Sequence, residues 1–183
     1  MKPVPLPEWD TSLQHVIDDM DGRPLNIHSL MANHPRLLNA WWDLRNYSVN
    51  GGDLEQRHCE LVILRVAVNV DSWYEWASHV ERGLACGLTH AEIERVKVGP
   101  DAGGWTPQEA ALLTAIDDLT KIRVITENTL RELDEHFTQQ QVLDMILLHG
   151  MYNTIACMIG TWGLELDPDV TERLPDSVTE SSF

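Results

Sequence analysis

Within DSWYEWASHVERGLACGL, residues 71–88, Glu75 stands three residues after Ser72 and four before His79. On a helix beginning near residue 72 these three side chains share a face, because spacings of three and four return to the same side of the helix. A carboxyl group whose pKa is raised by burial, next to an imidazole kept protonated by a second carboxylate, can move protons near neutral pH. Glu60 lies in the preceding apolar stretch EQRHCELVILRVAVNV, and a short turn at 69–71 would fold it, with Arg65, toward that face. A buried carboxylate there needs a partner, which Arg65 or His79 could supply. The same residues have a purely structural reading. Ser72 and Glu75 fit a capping box, with His79 paired to Glu75 along the helix surface. A glutamate at a helix N-terminus is stabilised as the anion, so a capping Glu75 suits a base better than an acid.

A second polar face, His149 with Tyr152 and Asn153, interrupts the apolar stretch VLDMILLHGMYNTIACMIG. These residues either satisfy one another in the core or form a pocket wall. A metal site from Glu75, His79 and His149 lacks any HExxH or paired-cysteine signature, and no metal is expected. His58 and Cys59 are neighbours in a helix and point about 100° apart, so they do not form a nucleophile pair. Trp41, Trp42, Trp73, Trp76 and Trp105 lie near the candidate helices, as core, as subunit interface, or as walls for a flat apolar ligand.

Such side chains need a scaffold, and apolar residues recur at helical spacing while strand patterns are missing. Helices are predicted at about 26–47 with a break at NHP, 54–69, 72–86, 89–97, 106–121, 126–136 and 138–160, an all-α chain. Capping boxes open three of them: Thr89 with Glu92, Thr106 with Glu109, and Thr138 with Gln141. The chain divides into an N-terminal extension (1–25), one helical domain (26–167) and an acidic tail (168–183), with both ends expected to be loosely ordered. With 29 acidic against 13 basic residues and a net charge of −16, nucleic acid and anionic membrane surfaces are disfavoured as partners. No stretch reads as a signal peptide or a spanning segment, and three scattered cysteines fit a reducing compartment, so a cytoplasmic protein is expected.

The run CELVILRVAVNVDSWYEWASHVERGLACGLTHAEIERV, residues 59–96, resembles the carboxymuconolactone decarboxylase family, which also contains the AhpD-type alkylhydroperoxidases. The resemblance extends through ALLTAIDDLTKIRVITENTLREL and QVLDMILLHGMYNTIACMIGTWGLELD. It implies an AhpD-like helical fold with a central helical hairpin, assembled as a homo-oligomer such as a trimer or hexamer. The peroxidase branch carries a glutamate, a CxxC twelve residues on, and a histidine four residues after the second cysteine. Here those positions are Glu60, Ser72, Glu75 and His79, and both sulfurs are missing; a serine cannot replace a redox thiolate. The decarboxylase branch, which has a glutamate four residues before the histidine, is the nearer match. It implies a cofactor-free lyase in which His79 is the acid/base, Glu75 its partner or a base, and Glu60 and Arg65 orient the group or hold a substrate carboxylate. Ser72, Trp76, His149, Tyr152 and Asn153 are the candidate pocket residues, and the substrate is expected to be a small aromatic or lactone metabolite. Two other readings stay open: an antioxidant protein using Cys86 or Cys157, and a non-catalytic helical binding or assembly protein.

Overall fold

A computed structural model describes residues 1–183, apart from the side chain of Asn50. Among the described residues ten α-helices form, and no strand is present. They are α1 (Gln14–Asp19), α2 (Asn26–Met31), α3 (Pro35–Asn46), α4 (Gln56–Asn69), α5 (Trp73–Ala85), α6 (His90–Val98), α7 (Pro107–Ile122), α8 (Glu127–Asp134), α9 (Gln139–Trp162) and α10 (Pro168–Arg173). The expected break at NHP divides α2 from α3, where Pro35 opens the second helix. A π-helical turn, Tyr47–Gly51, continues α3.

The core is built around α4, in which every residue from His58 to Ala67 is buried. A helix apolar on all sides must be surrounded, and α5, α7 and α9 all pack against it. Between α4 and α5 the chain reverses within three residues. Asp71 takes a left-handed conformation at φ 54°, and the Ser72 amide donates back to the Ala67 carbonyl at 2.9 Å. Aspartate tolerates that conformation better than most residues. The reversal makes the expected central hairpin and brings the start of α4 alongside the middle of α5.

All three capping boxes form. Arg57 ties two of them together, donating to the N3 carboxylates Glu92 of α6 and Glu109 of α7. Thr106 accepts from the Glu109 amide at 3.2 Å, and Thr106→Ala is expected to lower unfolding stability by about 1 kcal/mol. Denaturant titration measures it directly.

Neither end is loose. Leu13 and Val16 are fully buried, and the Trp9 indole donates to the Val4 carbonyl at 3.0 Å. At the other end Val170 and Val178 are buried, and the Phe183 ring packs against Trp73 and Trp76. The turns and helix in 6–19 are too short to show a helical period, so only packing reveals them. By length and composition α9 could cross a membrane, yet its buried side runs along α4 and α7.

Candidate functional site

The hairpin brings Glu60, Glu75 and His79 together, and all three are buried. The Nδ1–H of His79 donates to Glu60 Oε2 at 2.7 Å, which fixes the ring and turns Nε2 toward Glu75 Oε2, 3.9 Å away. That gap is too long for a hydrogen bond and leaves both atoms available to a third group. Burial pushes the His79 pKa down, against the upward pull of Glu60. Burial pushes Glu75 up to about 8, against the opposing charge of Arg82 and with added repulsion from Glu60. Burial therefore favours the neutral, protonated form of Glu75.

The fourth capping box does not form. Ser72 precedes α5 but makes no side-chain cap bond, and its buried hydroxyl has no partner. Without the cap, nothing stabilises the Glu75 anion enough to offset burial, so the expectation of a base gives way to that of an acid.

A cavity of ≈ 40 Å³ opens beside these groups, between α5, α9 and the N-terminal helices. Tyr152 walls it, its ring edge-on to His79 at 5.0 Å. Burial raises the pKa of its phenol, which stays protonated. Arg82 follows His79 by three residues on the same face of α5, while Arg45 and Trp41 come from α3 and His28 from α2. Neither Arg45 nor Arg82 forms an ion pair among the described residues. Arg45 lies over the Trp42 ring and donates to Asn46 Oδ1. His28 accepts from the Leu25 amide through Nδ1 and stacks edge-on against Trp42. Burial, then the charges of Arg45 and Arg82, depress its pKa to about 3. The Ser78 hydroxyl, also at this cavity, is buried without a partner. Arg82 extends the 75, 79 spacing by one more step and was readable in the sequence; His28, Arg45 and Trp41 reach the site only through long-range packing.

The other candidates lie elsewhere. Arg65 makes two bonds to Asp117, at 2.6 and 2.7 Å, and donates to the Val96 carbonyl. It approaches so closely to Gly99 that a Cβ there would stand 2.5 Å from the guanidinium, which explains the glycine. Five residues after Glu60, Arg65 points about 140° away from it around the helix, which is why it is no part of this cluster. His149 Nε2 pairs with the Thr120 hydroxyl at 3.0 Å, and Asn153 is exposed. Trp76 is fully buried in the core, against Phe183 and with Lys97 over its ring. Among the described residues no group of three or more His, Cys, Asp or Glu side chains is placed to hold a metal ion.

No cysteine lines the cavity. Cys59 is buried and its thiol is pushed up to about 12; its sulfur lies 3.5 Å from the Leu54 carbonyl, and the neighbouring His58 ring packs on Phe137. Burial and the Glu60 charge also raise Cys86, while Cys157 is exposed on α9.

The helical architecture is that of the AhpD-like proteins. A structure of the alkylhydroperoxidase AhpD core, a peroxidase-related protein from Ralstonia eutropha, superposes with a TM-score of 0.81 at 18% identity, over 95% of this chain and 96% of that one. The debrominase Bmp8 with 2,3,4-tribromopyrrole bound gives a TM-score of 0.80 at 10% identity, over 93% of each chain. An Agrobacterium tumefaciens protein of unknown function, suggested to be the antioxidant defence protein AhpD, gives 0.69 at 24% identity, over 75% of this chain and 94% of that one. Residues 35–118 match the carboxymuconolactone decarboxylase family, a span that contains Glu60, Glu75 and His79. No curated protein matches the sequence.

Proposed function

We propose that this protein is a cofactor-independent lyase that removes CO2 from, or cleaves a related carbon–carbon bond in, a small aromatic-derived metabolite. The observation that carries the reading is the buried, uncapped Glu75, whose surroundings favour its protonated form, 3.9 Å from an imidazole that Glu60 orients. In decarboxylation the breaking bond leaves its electron pair on the substrate as an enolate. Arg45 and Arg82, two cations without ion-pair partners at the cavity, neutralise the enolate oxygen. Glu75 then gives its proton to the carbanion carbon and becomes a carboxylate, which solvent reprotonates through His79. One carboxylate and one proton are consumed, and CO2 and the protonated product are released. The exposed Leu143, Ile146 and Trp162 of α9 support the further reading that copies of the chain associate.

The test is to incubate the protein with aromatic lactones and hydroxy or keto acids and to follow products by mass spectrometry. The expected result is loss of CO2 with the native protein and with Cys59, Cys86 and Cys157 all changed to serine, and none with His79→Ala. The rate is expected to fall as pH rises through about 8, where Glu75 loses the proton it must donate. Peroxide consumption that the cysteine-free protein lacks, with no acid turned over, would overturn the reading in favour of a thiol peroxidase.

A further inference from the structure

The reaction cavity has room for little more than a water or two. Against it lies a second cavity of ≈ 390 Å³, and Leu25 and Arg82 line both. Its walls carry Arg23, Arg82 and Arg173 together with Asp167 and Asp169. Several of these charges are already committed. Arg173 pairs with Glu81 at 2.7 Å, and Asp167 accepts from the Tyr74 hydroxyl and the Asn26 amide. Arg23 and Arg82 form no ion pair among the described residues, although the chain holds 29 acidic residues against 13 basic ones. Arg82 is half-buried and Arg23 exposed at the rim, and guanidinium groups without a counter-charge attract an anion that comes from outside the chain.

We infer that the larger cavity is the outer chamber of the site and that the ligand is an elongated organic acid. Its small reacting end enters beside Glu75 and Arg82, and its body, bearing a second anionic group, lies next to Arg23. Admission of the reacting end requires Leu25 and Arg82 to move apart, since they form the wall common to both spaces. Asp169 at the same chamber limits the ligand there to one added charge and disfavours a polyanion. This inference rests on reading the inner cavity as the reaction site, but its test reads binding and needs no turnover.

Two probes that differ only in the distal group are 3-phenylpropionate and 3-(4-carboxyphenyl)propionate. By calorimetry on the full chain at low salt, the dicarboxylate is expected to bind roughly five- to tenfold more tightly. Arg23→Gln, a change at an exposed position, is expected to remove that advantage while leaving the monocarboxylate's affinity in place. Raising the salt to about 0.5 M is expected to shrink the advantage in the native protein. Equal binding of the two acids, no binding of either, or an advantage that survives Arg23→Gln would overturn the inference. The advantage with no acid ever turned over would support the chamber and remove the lyase.

Discussion

Glu75→Gln is expected to slow turnover by about 10²- to 10⁴-fold while making the protein more stable at pH 8. The two effects share a cause. Glu75 has an ordinary value of 4.5 and is raised by burial to about 8 in the fold. Between those values the unfolded chain has released the proton and the folded one still holds it, so stability falls as pH rises through the window. The contribution is fully present below 4.5 and is lost by the time pH passes about 8. Moving an ionisation that far is worth on the order of 4 kcal/mol, and glutamine, which has no proton to lose, escapes it. The difference in unfolding free energy between variant and native protein should therefore widen from pH 5 to pH 8 in parallel denaturant titrations. A constant difference would mean that Glu75 is ionised in the fold and cannot be the acid. A stability gain without loss of turnover would mean that the acid is another group.

The Glu60, Glu75 and His79 cluster is legible in the sequence to the extent that local geometry controls it. Glu75 and His79 follow from helical spacing, and Glu60 follows from the short connection at 69–71 that closes the hairpin. Arg65 was misassigned because the apolar stretch shows that it is buried but not in which direction it points. Its partner Asp117 lies 52 residues away, and no local pattern joins them. Ser72 and Glu75 satisfied the capping pattern that Thr89, Thr106 and Thr138 obey, yet Ser72 lies in a tight reversal where its hydroxyl does not reach the N3 amide. Ser72 forms no cap, and burial of Glu75 favours its protonated form. His28, Arg45 and Trp41 carry no periodic signal toward α5, and they reach the site because the N-terminal helices pack over the hairpin. Tyr152 lies beside His79 at the cavity, but its neighbours His149 and Asn153 look elsewhere: one is taken by Thr120, and the other faces outward.

That roof supplies the second large effect, of opposite sign in pH. His28 has an ordinary value of 6.5 and is depressed to about 3, first by burial and then by Arg45 and Arg82. Its contribution is fully present above 6.5 and is lost as pH falls toward 3, again on the order of 4 kcal/mol in all. His58, His79 and His149 are shifted the same way by burial, so the total acid sensitivity is not assignable to one ring. The difference between native protein and His28→Gln isolates it. Glutamine keeps an acceptor for the Leu25 amide and cannot be protonated in this range, so the variant should gain on the native protein by roughly 2 kcal/mol between pH 6.5 and pH 5. In the same window Glu75→Gln should lose ground to the native protein as pH falls, because folded Glu75 keeps its proton while the unfolded chain has released it, so a rising proton concentration favours the native fold. Opposite trends for the two variants would mark one desolvated chamber acting on an acid and a base. Parallel trends would mean that water reaches at least one of them, and the proton-transfer reading would fall with the dry site on which it depends.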